Sequence, residues 1–468
     1  MQRSTSKIQH LCPRGFICFT LRRKTCVVIT CVVTLLASII HYRLTGEEYS
    51  DGGIGREEDV FKRTLNVCLH MNQINRRGVE VASYDYMSSL RESGERSYKI
   101  ACLAPQHVLD NQAHKVPEVT AKFNALCGGI QAYSCTEDWK ISAPGGYWQW
   151  GGPGLVNLTR HLNCHLLYSL KSGEIESPPQ FTAGTMHIPW AVHAVFNTKE
   201  PHGTSFASIS EEVARSTAQP NPCALQRDQL YVDHIVDFPF EELSFDLARL
   251  RRAMRHEHNI PNDALVLCRH GGESTFDIDF VRGNIATIIE ANRGLHLVLM
   301  NTAELQQGHS RIHEIKGDST VLGKATYFAG CDAMLHARAD GETFGLAVAE
   351  FSLRNKPVIT FNGTMDGYAR THLEILGDMG MYYHDLPSLN TLIRNLSSHG
   401  IPPRGSWNAY ESFSRDKVMR KFEDVFINPA VQWWEEVQTL GIPNVWEAPF
   451  STLPPLSLRC PKVSSSKT

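Results

Sequence analysis

At 468 residues the chain is too long for one ordinary domain and fits two. With 42% hydrophobic and 20% charged residues it has the make-up of a folded globular protein, which excludes fibrous and disordered classes. The formal net charge is −3 and no long basic stripe runs through the body of the chain, so nothing favours nucleic acid as a partner.

In chain order, Met1–Lys24 is a short basic tail. Thr25–Tyr42 (TCVVITCVVTLLASIIHY) then runs 18 residues without a charge, near the short end of what a membrane-spanning helix needs. Arg14, Arg22, Arg23 and Lys24 precede it, and Glu47, Glu48 and Asp51 follow. The positive-inside rule therefore predicts an uncleaved signal anchor, with the N-terminus cytosolic and the body lumenal. A cleaved signal peptide is the rival; the basic leader and the lack of a small-x-small site after the apolar run speak against it. This is the pattern of a single-pass type II protein of the Golgi or endoplasmic reticulum. Of 13 cysteines, Cys12, Cys18, Cys26 and Cys31 fall in the tail or anchor. The remaining ones show no CxxC spacing, which argues against zinc. Cys68, Cys102, Cys268 and Cys331 lie in or beside apolar runs and read as buried thiols. Cys127–Cys135 and Cys164–Cys223 are possible bridges. Sequons stand at Asn157, Asn362 and Asn395.

After a polar stem over 43–60, two alternating α/β halves are expected, at 61–245 and 246–430, with a C-terminal helix and flexible tail over 431–468. In the first half, Leu65–Met71, Tyr98–Leu103, Ile130–Ser134, His165–Leu170, His187–Phe196 and Leu230–Val236 read as strands. Helices are predicted from about Val79 and over Val116–Leu126. The Trp-rich Trp139–Gly152 reads as a long loop that either shapes an acceptor site or simply packs. In the second half, Ala264–Arg269, Leu295–Met300, Ile312–Ile315, Asp332–Ala337 and Pro357–Phe361 are strand-like. Helices are expected over Asp277–Asn292, Ser319–Ala329 and Leu346–Arg354, the first because Ile278, Val281, Ile285, Ile288 and Ile289 make one apolar face. Such alternation predicts two doubly wound parallel sheets with a ligand cleft at the strands' carboxyl ends.

The stretch with most chemical content is Leu335–Thr360 (LHARADGETFGLAVAEFSLRNKPVIT). Glu342 stands in a loop and Glu350 in the following helix, with Gly341 and Gly345 letting backbone approach a ligand at an anion-favouring helix N-terminus. A Glu pair alone means little: a first-turn acid offsets the helix dipole, and a helical Glu is commonly solvated. The apolar surroundings of Glu350 (Leu346, Ala347, Val348, Ala349, Phe351) make an idle role there less natural.

This segment resembles the Glu-x7-Glu signature of retaining GT-B glycosyltransferases of family 4, and the likeness extends loosely over Leu65–Phe426. The resemblance implies a GT-B fold, with two Rossmann-like domains facing a cleft, the first for acceptor and the second for a nucleotide-sugar donor. It implies that Glu342, beside the backbone of Thr343, Phe344 and Gly345, contacts donor-sugar hydroxyls, and that Glu350 binds ribose hydroxyls. Arg269, ahead of Gly271 and Gly272, stands where the family has a diphosphate-binding Arg. The family's Lys five residues later is Ser274 here, so Lys324 or the two glycine N–H groups are the substitutes. His193 matches the family His that reaches the donor sugar, with His202 as alternative. Gly78 is what remains of a Gly-rich loop near the phosphates. The implied reaction is transfer of a sugar to a glycan or glycoconjugate, with retention and without a metal or other cofactor.

Two rivals stand beside this. Asp277 and Asp279 form an Asp-x-Asp pair that in a GT-A enzyme shares a divalent ion with the diphosphate, although acids at a helix start are ordinary. The other rival is a non-catalytic carbohydrate-binding ectodomain, favoured by the missing Lys and the reduced glycine loop. His256, Glu257 and His258 diverge by ~100° per helical step and do not face one ion.

Overall fold

The computed structural model describes residues 64–94, 96–134, 153–174, 187–196, 201–216, 230–303, 305, 309–318 and 320–459. The expected anchor over 25–42, the stem, Trp139–Gly152, Cys135 and Cys223 lie outside the described residues. Among the described residues no helix is long and apolar enough to cross a membrane.

The first half is built on β1 (Thr64–His70), β2 (Ser97–Pro105), β3 (Ile130–Tyr133), β4 (Leu166–Lys171), β5 (Trp190–Ala194) and β6 (Ser205–Ser208). They form one parallel sheet in the order β3-β2-β1-β4-β5-β6. Its helices are α1 (Gly78–Glu92), α2 (Gln106–Gln112), α3 (Pro117–Cys127), α4 (Pro153–His161) and α5 (Glu211–Ser216). Strands covered on both faces read as near-continuous apolar runs, and all six residues of β4 are buried. Each such Leu or Val contributes about 1.5–3 kcal/mol.

The chain crosses over through α6 (Leu247–Glu257) into β7 (Leu265–His270), α7 (Asp279–Arg282), α8 (Ile285–Ala291), β8 (Leu295–Met300), β9 (Ile312–Ile315), α9 (Val321–Gly330) and β10 (Ala333–Leu335). There follow β11 (Gly341–Glu342), α10 (Leu346–Leu353), β12 (Val358–Phe361), β13 (Ala369–Arg370), α11 (Thr371–Leu376), β14 (Gly380–Tyr383) and α12 (Leu386–His399). The second parallel sheet runs β14-β12-β10-β7-β8-β9, which repeats the order of the first, and β11 pairs with β13 beside it. This order places a switch point, and hence a ligand crevice, at the carboxyl ends of the central strands.

The last helices, α13 (Arg415–Phe422) and α14 (Asn428–Thr439), return to the first half. Phe422 stacks on Tyr86 at 5.0 Å and Phe426 meets Tyr168 edge-on at 5.6 Å. The domain boundary expected at 430 therefore falls within a helical run already packed on the first sheet. Trp433 and Trp434 join the core formed by Cys68, Leu103 and Leu167. The expected mobile tail is also corrected as far as Arg459: Leu453 and Leu456 are buried, and the Arg459 guanidinium donates to both carboxylate oxygens of Glu436.

Three further expectations change. The helix over Asp277–Asn292 breaks into α7 and α8 around Gly283, while its apolar face stays buried. Gly is a poor helix former, and the Asn284 side-chain amide donates to the Phe280 carbonyl, competing for a backbone acceptor. Leu230–Val236 is not a strand but touches the sheet through one bridge, Ser208 with Tyr231. The Val232 carbonyl accepts from His193 and the Val236 N–H donates to Phe413, so these backbone groups are spent elsewhere. Finally, the four cysteines read as buried thiols are all in disulfides: Cys68–Cys164, Cys102–Cys127 and Cys268–Cys331. These pairings also displace the proposed partners of Cys127 and Cys164. The bonded residues are 25 to 96 positions apart in sequence but brought together by the fold, which spacing does not reveal.

Cys268–Cys331 spans 63 residues and in the chain-entropy view stabilises by about 4 kcal/mol. The Cys268→Ala/Cys331→Ala protein is expected to lose about 2–4 kcal/mol in urea unfolding, and both wild-type residues should resist alkylation until reductant is added. Alkylation without reductant would exclude this bridge.

Candidate functional site

The carboxyl edge of the second sheet is shaped first by glycine. Gly341 has φ +66°, and a Cβ there would collide with the Ala369 carbonyl, so only Gly lets β11 lie this close to β13. Gly345 has φ +87° and starts α10; a Cβ would lie 3.3 Å from both Cβ and Cγ of Glu342. Between them Phe344 is buried and packs edge-on against Tyr410 and Phe413, while the Tyr410 hydroxyl donates to its carbonyl. The turn presenting Glu342 is thus pinned from behind, with half-buried Thr343 on it.

The Glu342 side chain is 17% exposed and held by two donors. His336 Nε2 lies 3.2 Å from Oε1, and Arg338 Nη1 donates to Oε2 at 2.9 Å. Burial pushes its pKa up, but the His336 hydrogen bond and the Arg338 charge outweigh burial and hold it at about 2, against an ordinary 4.5. Glu350, on α10, is built the same way from different elements. Lys324 Nζ on α9 donates to Oε1 at 2.6 Å, and His270 Nε2 at the end of β7 lies 3.0 Å from Oε2. Burial opposes ionisation, yet the Lys324 charge and the contacts with Lys324 and His270 keep the carboxyl well below its usual range. Glu350 raises the Lys324 pKa in turn. The structure therefore brings Glu342, Glu350 and Lys324 to one edge, both acids ionised. Lys324 is engaged by Glu350.

Arg269 is 2% exposed. It donates to the Gly272 carbonyl and Thr275 Oγ1, each at 2.6 Å, and to Thr302 Oγ1 at 2.5 Å. Burial lowers its pKa to about 10. In this state it braces the Gly271–Thr275 loop from beneath and does not project into the cleft. Asp277 also braces: its Oδ1 accepts the Ala339 N–H at 2.8 Å, whereas Asp279 opens α7. Among the described residues no three His, Cys, Asp or Glu residues are grouped as they would be around an ion.

From the first half, Gly78 starts α1, and a Cβ on it would meet Leu346 Cδ1 at 3.3 Å. The loop before α1 thus abuts the N-terminus of α10 across the cleft. Asp85, further along α1, senses the charges of both Lys324 and Glu350; burial dominates and pushes its pKa to about 7. His193 is placed otherwise than the family resemblance implies. It is fully buried; Nδ1 bonds the Tyr168 hydroxyl and Nε2 the Val232 carbonyl, each at 2.8 Å, and burial lowers its pKa to about 3. Both ring nitrogens are occupied inside the core, which leaves none for a substrate. His202 packs against Trp190 and Phe206.

A cavity of about 550 Å³ lies between the halves, lined among others by Ser210, Glu212, Asp233, Thr371 and Lys421. Thr371 directly follows Arg370, the register partner of Glu342, so the cavity wall starts beside the site. The halves are clasped there by Ser210 with Thr371 at 3.1 Å and by Arg215 with Glu374.

Sequence reasoning missed His270, His336 and Arg338 as the partners of the two acids. His336 and Arg338 had a signal: a buried ionised Glu requires donors, and they stand six and four residues before Glu342.

No protein-family model and no curated protein sequence matches this chain. Solved structures do match in shape. HepE of Anabaena, solved with UDP and glucose, is 12% identical with a TM-score of 0.50, covering 80% of this chain and 100% of its own. A glycosyltransferase from Rickettsia africae is likewise 12% identical with a TM-score of 0.50, covering 81% of this chain and 99% of its own. With two parallel six-stranded sheets in the same strand order, the fold of this chain is GT-B.

Proposed function

We propose that this chain is a glycosyltransferase that moves a sugar from a nucleotide-sugar donor to a carbohydrate or glycoconjugate acceptor, with retention of configuration and without a metal. The observation that carries this is the pair Glu342 and Glu350, both ionised, flanking the Gly345-led start of α10 and faced by the Gly78 loop. That HepE, which shares the fold, holds UDP and glucose is consistent with a nucleotide-sugar donor here.

In this mechanism Glu350 takes the ribose hydroxyls and Glu342 the donor-sugar hydroxyls, both as charged acceptors of hydrogen bonds. The leaving nucleoside diphosphate meets the N-terminus of α10, the Gly271–Gly272 loop and the charge of Arg269. An acceptor hydroxyl seated from the inter-half cavity attacks the face from which the diphosphate leaves. His193 is left out of this chemistry. We further propose a type II protein with its body in the Golgi or endoplasmic reticulum lumen. Three disulfides suit an oxidising compartment, and the sequon residues Asn157, Asn362 and Asn395 are all exposed. The internal engagement of Arg269 and Lys324 is the observation that favours the second reading, a carbohydrate-binding ectodomain without turnover.

The test is release of nucleoside diphosphate by the full chain in detergent, across a panel of nucleotide sugars, with and without chelator. Release is expected to survive chelator and to fall at least about 100-fold in Glu342→Gln. Release that needs added metal would shift the assignment to Asp277 and Asp279; nucleotide-sugar binding without turnover would leave the binding ectodomain.

The ionised state of Glu342 has its own signature. Its folded-state pKa is depressed, so its ion pair stabilises the fold above about pH 4.5 and is lost as pH falls towards 2. The stability advantage of wild type over Glu342→Gln in urea is expected to be full at pH 6 and to shrink steadily below about pH 4.5. An advantage unchanged down to about pH 3 would contradict the assignment.

A further inference from the structure

We infer that His336, oriented by Thr360, is the positioning residue that fixes the Glu342 carboxylate for the donor sugar. This rests on the proposed role of Glu342. His336 is 4% exposed and reaches both ways: Nε2 lies 3.2 Å from Glu342 Oε1, and Nδ1 lies 2.8 Å from Thr360 Oγ1. Thr360, fully buried in β12, is in turn 3.2 Å from His372 Nε2. The proton positions follow from the carboxylate. An ionised carboxylate only accepts, so where the His336 ring holds a single proton that proton stands at Nε2. Its Nδ1 then accepts a hydrogen bond from the Thr360 hydroxyl. The Thr360 oxygen is left to accept from His372 Nε2–H. The result is a chain of donors, all pointing one way, from α11 through β12 to Glu342.

The rest of the ring's surroundings hold it still. The Tyr383 hydroxyl donates to the His336 carbonyl at 2.9 Å, and the His372 ring packs 5.0 Å away. Arg338 grips the other carboxylate oxygen, but its side chain is 26% exposed and on a loop. His336 is therefore the rigid half of the clamp. A carboxylate carried on a two-residue strand, free to rotate about its side-chain torsions, would otherwise sample orientations useless to the sugar.

The variants separate position from mere presence. Gln at 336 can put an N–H where Nε2 stands; Asn reaches only the place of Nδ1, and Leu offers no donor. In the full chain, using the donor identified by the release assay, His336→Gln is expected to keep kcat within about 3-fold of wild type. His336→Asn and His336→Leu should lose about 100-fold in kcat, with KM for the donor and Kd for the nucleoside diphosphate it releases within about 3-fold. Thr360→Val, which keeps shape and removes the hydroxyl, should lose about 10-fold and guards against misfolding of the His336 variants. Gln as impaired as Leu, or Leu as active as wild type, would overturn the inference. Should wild type itself turn over no nucleotide sugar, the proposed function fails, and the clamp is decided by acid unfolding. The stability lost between about pH 4.5 and 3 should persist in His336→Gln and be blunted in His336→Leu; equal loss in both would overturn it.

Discussion

Two ionised carboxylates sit at the carboxyl edge of one sheet with little access to water, and the second half of the molecule is organised around that constraint. An unpaired buried carboxylate costs several kcal/mol, so each needs donors at hydrogen-bond distance. The two are supplied differently. Glu342 draws His336 and Arg338 from its own strand-to-helix connection. Glu350 draws His270 from the end of β7 and Lys324 from α9. One acid therefore orders a loop, and the other ties three separate elements into a fixed edge.

Covalent links reinforce the same edge. Cys268 is two residues before His270, and Cys331 immediately precedes Asp332, which leads into β10 and on to His336. The strand that serves Glu350 is thereby fastened to the strand that serves Glu342. Asp332 adds a second tie, accepting from Arg255 on α6 and from the Val266 N–H, each at 2.8 Å. In the first half, Cys68–Cys164 and Cys102–Cys127 likewise join β1 to the entry of β4 and β2 to the end of α3. The two sheets are thus cross-linked to their neighbouring elements by covalent bonds.

Much of this was legible in the sequence because buried parallel strands leave continuous apolar runs. LNVCLHM, ALVLCR and PVITF each marked a strand to within a residue or two. Glu342 and Glu350 stood out because glycines and an apolar helix face set them apart, and the fold seats both at one sheet edge. What was not legible depended on which elements become neighbours. Lys324 and Glu350 are 26 residues apart and meet only because α9 and α10 flank β10. The cysteines looked like apolar core, which they are, and nothing local said they also bond. Leu230–Val236 has strand composition, but its backbone groups serve His193 and the crossing to Phe413. His193 itself sits on the expected strand; what decided its role was the Tyr168 hydroxyl beside it, which no spacing predicts.

The engaged state of Arg269 bears on how a diphosphate would be held. Lys324 is neutralised by Glu350, so its charge is largely unavailable to a second anion. Arg269 differs, because its three bonds go to a carbonyl and two hydroxyls, none of which carries a charge. Its positive charge stays uncancelled by its direct partners, just beneath Gly271 and Gly272. At an effective dielectric of about 20, a unit charge acts on another ~5 Å away with about 3 kcal/mol. A diphosphate oxygen settling on the glycine N–H groups would feel that field without Arg269 giving up a single bond. On the proposed reading, a braced Arg under a glycine loop would act on the diphosphate by its field rather than by contact. On that reading the arrangement would need no reorganisation as charge develops on the leaving group, which is where electrostatic preorganisation has its effect.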